Sequence, residues 1–155
     1  PDASYAYLAG FTEETLKFLT IYFYVSRSTN FDEPMDAIVY GTLVSLGFAT
    51  FENLQYVYYS GGSPDAVAII RAFTAIPLHA CCGIIMGYYF GLYMFKNKDT
   101  LNLFKSLFFA IGFHAVYNYF ATRNVFLMIV VLIILILFAR KLHRILRTEQ
   151  ILRGS

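Results

Sequence analysis

The feature that most restricts how this sequence folds is a run of fifteen consecutive apolar residues at positions 125–139. A helix that spans a bilayer needs about 20 mainly apolar residues, and an uninterrupted run like this one suits lipid better than water. Only 14% of the 155 residues are charged, whereas a soluble domain carries roughly 25%. The sequence therefore predicts an integral membrane protein with a single domain over residues 1–152, and residues 153–155 resemble a cloning remnant.

Five segments have the length and composition of membrane-spanning helices, which predicts an all-α polytopic bundle with about five spanning helices. These predicted helices cover residues 4–25, 34–59, 66–95, 101–122 and 124–139. Turn-forming or charged residues separate them, including Gly61 to Pro64 and Lys96 to Asp99. The fifth segment has no polar stripe, so we expect it to face lipid and anchor the bundle.

The distribution of Lys and Arg predicts the orientation in the membrane. With five crossings, the loops after the first and third helices lie on the same side as the C-terminal tail. That side holds Arg27, Lys96, Lys98, Lys105, Arg140, Lys141, Arg144, Arg147 and Arg153, and the other side holds Arg71 and Arg123. The positive-inside rule therefore predicts a cytoplasmic tail and an outer start for the first helix. No basic stripe alternates with aromatic residues, so nucleic-acid binding has no support.

Ionisable or amide side chains occur inside four of the predicted helices, where unpaired charge is costly and usually functional. They are Glu13, Glu14 and Lys17 in the first helix, Glu52 and Asn53 in the second, His79 in the third, and His114 and Asn118 in the fourth. Glu13, Glu52 and His114 each lie about eight or nine residues from the outer helix end, roughly 12 Å at 1.5 Å per residue. Similar depths on different helices predict one shared site.

These polar residues share helix faces with small residues, which mark the close interfaces of membrane helices. Steps of four residues stay on one face of a helix. Such steps give Ala75, His79, Gly83, Gly87 and Gly91 in the third helix, Gly41, Ser45, Ala49 and Asn53 in the second, and Ser106, Ala110, His114 and Asn118 in the fourth. We therefore expect the polar groups to point into the bundle.

Two histidines and a carboxylate are the usual protein ligands of a catalytic zinc, which keeps a fourth position open for water. The sequence predicts that Glu52, His79 and His114 hold a divalent metal, with zinc preferred. Lys17 can pair with either Glu13 or Glu14, so the other carboxylate remains available to activate water. Asn53 and Asn118 are candidates to orient a ligand or to stabilise an oxyanion.

The sequence resembles the PrsW family of intramembrane proteases, which is similar to the CAAX-protease and bacteriocin-processing superfamily. The matching segments are Glu13-Glu14-Thr-Leu-Lys17, Phe31-Asp32-Glu33-Pro34-Met-Asp36, Gly47-Phe48-Ala49-Thr-Phe-Glu52-Asn53, Arg71 with His79, and His114-Ala-Val-Tyr117-Asn118. The chain departs from the superfamily pattern at Lys17, which precedes the usual Arg position by one residue. It also departs at Ala75, where a Phe is usual.

The resemblance implies hydrolysis of a peptide bond in a membrane-anchored protein, near the extracytoplasmic side of a bacterial cytoplasmic membrane. The typical substrate would be an anti-sigma factor at its first cleavage. It also implies further N-terminal membrane segments, and it leaves zinc and metal-free glutamate mechanisms both open. Two other classes stay open from the residues alone. One is a haem protein ligated by His79 and His114, and the other is a proton- or cation-coupled transporter.

Overall fold

The computed structural model describes residues 6–59 and 61–154, and helices are the regular structure throughout these two ranges. The helices are α1 (Ala6–Phe23), α2 (Pro34–Tyr59), α3 (Pro64–Phe73), α4 (Ala75–Leu92), α5 (Thr100–Ala121) and α6 (Val125–Gly154). Three helical stretches, Pro34–Tyr59, Pro64–Asn97 and Val125–Leu152, are long and apolar enough to cross a membrane. The predicted all-α polytopic membrane bundle is confirmed. Positions 4 and 5 of the first predicted helix lie outside the described residues.

Local signals explain where the helices begin. Pro34 and Pro64 each stand at the start of a helix, where the missing N–H costs no hydrogen bond. The Ser63 hydroxyl accepts from the Ala66 N–H, and the Asp99 carboxylate accepts from the Leu101 N–H. The observed starts of α2, α3, α5 and α6 consequently lie close to those predicted.

The third predicted helix is not continuous, and this expectation was wrong. It divides at Thr74 into the short α3 and the longer α4, and Thr74 has a φ of −123° and a ψ of −64°. Pro77 supplies the physical reason, since its ring clashes with the carbonyl four residues earlier, at Phe73, and its nitrogen cannot donate to that carbonyl. The short α3 that results contacts both α2 and α4.

Small residues bring α2 and α4 into close contact, as the four-residue steps predict. A Cβ added at Gly83 would lie 2.6 Å from the Gly41 carbonyl oxygen. The Ser45 hydroxyl donates to the His79 carbonyl oxygen over 2.6 Å, which ties the helices at the level of the histidine. On the other side of the bundle, Gly10 of α1 packs against the backbone of Ala115 on α5.

We expect Gly83→Ala to destabilise the protein by about 1–3 kcal/mol, because the new methyl group has no space unless α2 and α4 separate. Gly47→Ala on α2 is the matched control. A Cβ at Gly47 meets no atom within 4 Å, so this exchange gains up to about 1 kcal/mol of helix propensity. Thermal unfolding in detergent, followed by circular dichroism, compares the two variants. Equal melting temperatures would contradict the close packing.

The α6 helix differs from its prediction in length and in contacts. It continues through the basic tail to Gly154, whereas the sequence predicted an end at residue 139. One stripe is buried against the bundle, and its members are Met128, Leu132, Leu135, Ala139, Leu142 and Leu146. These positions recur every three or four residues, so one face of α6 packs on the protein while Phe126 and Leu137 on other faces stay exposed.

Candidate metal centre and active site

The polar residues of α1, α2, α4 and α5 meet in one cluster inside the bundle, as their similar depths predict. Glu14, Lys17, His79 and His114 are each at most 1% exposed. The imidazole rings of His79 and His114 are in edge-to-face contact, with centroids 5.0 Å apart. A set of buried charges this dense persists in a low-dielectric interior only when its members pair with one another.

On the α1 side, Lys17 and Glu14 form the most enclosed ion pair. Lys17 Nζ lies 2.6 Å from Glu14 Oε1 and 3.7 Å from Glu13 Oε2. The sequence left open which carboxylate Lys17 prefers, and the structure places Glu14 closer. Glu14 Oε1 also lies 2.8 Å from His114 Nδ1. Because a carboxylate paired with an ammonium is an acceptor, the His114 Nδ1–H donates to it, and Nε2 of the neutral ring keeps its lone pair.

On the α4 side, both nitrogens of His79 have partners. Lys17 Nζ lies 2.8 Å from Nδ1, and Glu52 Oε2 lies 2.9 Å from Nε2. An ammonium group offers donors alone, so Nδ1 acts as the acceptor and the ring proton sits on Nε2, which donates to Glu52. A metal can therefore bind Nδ1 of His79 only when Lys17 releases that atom, whereas the bond from Lys17 to Glu14 can remain.

Glu52 has a second partner on α3. Arg71 Nη2 donates to Glu52 Oε2 over 2.7 Å, and Arg71 Nε donates to Asn53 Oδ1 over 2.5 Å. The guanidinium group also stacks on the Tyr56 ring, 3.9 Å from its centroid. The two Glu52 oxygens therefore differ in their hydrogen bonds. Oε2 accepts from Arg71 and from His79, whereas Oε1 accepts no hydrogen bond among the described residues.

Glu13 is the carboxylate that lies together with the two imidazoles. One ligand atom from each of Glu13, His79 and His114 falls within 4.8 Å of the others. Glu13 Oε2 is buried and has no hydrogen-bond partner, although its side chain as a whole is 22% exposed. A buried carboxylate oxygen without a donor beside two imidazoles fits a divalent cation, so the chemistry of these residues suits a metal.

The structure brings some of the predicted site residues together and leaves others apart from the histidines. The metal set from sequence named Glu52 with His79 and His114, whereas here Glu13 lies with the imidazoles and Glu52 pairs with Arg71 and His79. Asn53 faces Arg71 instead of the histidines. Asn118, one turn after His114, is half-buried, and its amide forms no hydrogen bond within the part of the chain that the structure describes. The roles of these residues remain predictions.

Sequence reasoning missed the part that Arg71 plays. The arginine was counted with the basic residues of the outer side, and it was linked to His79 only through the family resemblance. The available signal was Pro77, which marks the break between α3 and α4, because Arg71 lies on the short helix before that break. Lys17 was expected to pair within α1, and its contact with His79 on α4 was not foreseen.

Comparisons with known proteins find relatives in one family. A model for the PrsW family of intramembrane metalloproteases matches residues 2–140. The protein named Protease PrsW in Geobacillus kaustophilus (strain HTA426) is 40% identical over 120 residues, which is 77% of this chain and 52% of that protein. Protease PrsW of Clostridioides difficile (strain 630) is 33% identical over 140 residues, covering 88% of this chain and 59% of that protein.

Protease PrsW of Bacillus subtilis (strain 168) is 45% identical over 83 residues, covering 54% of this chain and 37% of that protein. The chain spans about half the length of the curated relatives it matches. No solved structure matches the chain significantly.

Proposed function

The chain belongs to the PrsW family of intramembrane metalloproteases, and on that premise we propose that it hydrolyses a peptide bond of a membrane-anchored protein. The cleavage would take place near the extracytoplasmic side of a bacterial cytoplasmic membrane, with the C-terminal tail in the cytoplasm. A single-span anti-sigma factor is the substrate class that we favour. The observation that carries the proposal is the convergence of Glu13, His79 and His114 inside the bundle.

We assign the binding of a divalent metal, with zinc preferred, to Glu13, His79 and His114. One carboxylate and two imidazoles leave a fourth position for water, which is the arrangement of catalytic zinc sites. When bound, the metal supplies Lewis acidity that activates water and polarises a carbonyl group. Glu14 accepts the Nδ1–H of His114 and so fixes which nitrogen of that ring faces the site.

The remaining carboxylate of the cluster, Glu52, is assigned as the proton acceptor. Arg71 and His79 both donate to Glu52 Oε2, so Oε1 is the oxygen to which neither of them donates. The Glu52 side chain is 20% exposed. We propose that this oxygen takes a proton from the attacking water and delivers it to the departing amine, the usual work of a general base. Asn118 is assigned to the oxyanion because its amide is half-buried beside His114 and has no other hydrogen bond among the described residues.

The rival functions fit the geometry less well. A haem ligated by His79 and His114 needs a porphyrin between the rings, yet the rings touch with centroids 5.0 Å apart and an interplanar angle of 88°. A cation transporter would use the carboxylates to bind its ion, but it gives no reason for two imidazoles to lie beside Glu13. Metal-free activation of water by Glu13, whose Oε2 has no hydrogen-bond partner, is the second candidate.

The test combines elemental analysis with cleavage of a defined protein. We expect purified protein to carry about one zinc per chain and to cut a tagged single-span anti-sigma factor in proteoliposomes. His79→Ala with His114→Ala should lose both properties, whereas His143→Ala on the α6 tail should keep both. Iron in place of zinc would favour haem. Absence of metal after zinc add-back, with cleavage retained, would favour the metal-free glutamate mechanism.

A further inference from the structure

Arg71 is unusual among the basic residues because it reaches from an otherwise exposed helix into the bundle. The α3 helix has no buried residue, and Ile69, Ile70 and Phe73 on it are 60–76% exposed. The Arg71 side chain, in contrast, is only 14% exposed. Arg71 therefore makes the polar connection between α3 and the interior.

Three contacts fix the Arg71 guanidinium on α2. Its Nε and Nη2 donate to Asn53 and Glu52, and its plane stacks on Tyr56. A guanidinium group is planar and always charged, so two directed hydrogen bonds and a stacking contact determine its orientation almost completely. The guanidinium in turn donates to Glu52 Oε2. This hydrogen bond orients the carboxylate and therefore also its other oxygen, Oε1.

The same Glu52 oxygen also accepts from Nε2 of His79. Arg71, Glu52 and His79 thus form a continuous chain from α3 to the centre of the site, although Arg71 itself contacts neither histidine. An orienting partner of this kind typically affects affinity or activity by about 10- to 100-fold.

We propose that Arg71 is a positioning residue for the reaction, and that it acts through Glu52. The inference rests on the proposed function, because Glu52 is the group assigned to move the proton. Asn53 accepts from the guanidinium and Tyr56 stacks on it, so Asn53 is a support for Arg71. This role replaces the direct oxyanion role that the sequence suggested for Asn53.

The first experiment compares Arg71→Gln, Arg71→Lys and the control Arg123→Gln in the anti-sigma-factor assay. Arg123 is a good control because it also stacks on a tyrosine, Tyr119, with 4.6 Å to the ring centroid, but lies outside the cluster. We expect Arg71→Gln to lower kcat by about 10- to 100-fold with little change in KM and with zinc content retained. Arg71→Lys should recover part of kcat because one hydrogen bond to Glu52 can re-form.

The second experiment asks whether Arg71 acts through Glu52. Adding Arg71→Gln to a Glu52→Gln variant should cause no further loss, because residues that act as a unit are not additive. A full further loss in the double variant, or wild-type kcat in Arg71→Gln, would overturn the inference. Loss of zinc from Arg71→Gln would also overturn it, since the role would then be structural.

The two proposals fail in different ways. If the wild-type protein cleaves while Arg71→Gln cleaves equally fast, the role of Arg71 is wrong and the protease stands. If wild-type protein with bound zinc leaves the anti-sigma factor intact, the proposed function fails, and the role of Arg71 in it fails too.

Discussion

Glu13→Gln is expected to leave the protein folded but without bound metal, and cleavage is expected to fall below detection. The change keeps the shape of the side chain but removes the anionic oxygen that lies with the two imidazoles. Glu52→Gln is expected to keep the metal and to slow cleavage by about 10²- to 10⁴-fold, the usual contribution of a general base. Elemental analysis and cleavage rates on the same preparations separate the two roles.

The opposite outcome is equally informative. If Glu52→Gln loses the metal while Glu13→Gln keeps it, the assignment made from the sequence is right and the one made from the geometry is wrong. Glu33→Gln serves as the control, because Glu33 is an exposed residue just before α2. That variant should match wild type in both measurements.

Lys17→Met is expected to destabilise the metal-free protein by about 3–5 kcal/mol, the usual effect of removing one partner from a buried ion pair. Glu14 would stay in the interior with no cation, because its side chain is 0% exposed and Lys17 is its nearest positive charge. Adding Glu14→Gln to Lys17→Met should restore much of the loss by removing the unpaired charge. Thermal unfolding in detergent with a chelator present compares the wild-type protein, Lys17→Met and the double variant.

The control for this prediction is an exposed ion pair elsewhere in the chain. Lys96 and Glu149 lie 3.3 Å apart with side chains 48% and 36% exposed, so Lys96→Met should cost about 1 kcal/mol or less. A Lys17→Met protein as stable as Lys96→Met would mean that the cluster is more hydrated than the packing indicates. If the double variant regains no stability, the loss in Lys17→Met comes from the packing of the lysine methylene groups and not from the unpaired Glu14 carboxylate.

Periodicity and depth along single helices predicted much of this fold. Pro34 and Tyr59 are the predicted and the observed ends of α2, because a proline start and a following glycine turn are both local signals. The small-residue rows predicted that His79 and His114 point inward, and both are buried. These properties depend on residue spacing, which a sequence states directly.

Which ionisable side chains contact one another could not be predicted in the same way. Whether Glu13 or Glu52 lies beside two imidazoles depends on how far each helix rotates and slides against its neighbours, and spacing carries no such information. The break at Thr74 was missed because the third segment reads as evenly apolar, although Pro77 marks it. Arg71 was counted with the basic residues of the outer side, whereas its guanidinium donates to Glu52 on α2.

The proposed ligands come from three different helices, which has a thermodynamic consequence. Glu13 belongs to α1, His79 to α4 and His114 to α5, and glycine contacts join α1 to α5 separately from the α2 and α4 contact. A cation held by all three residues binds the assembled bundle and has no comparable site in a bundle whose helices have come apart. Binding of the cation and association of the helices are then linked equilibria. At a free cation concentration of 100 times Kd, binding stabilises the assembled bundle by about 2.7 kcal/mol. Scarcity of the cation would therefore loosen the helix bundle as well as stop the chemistry.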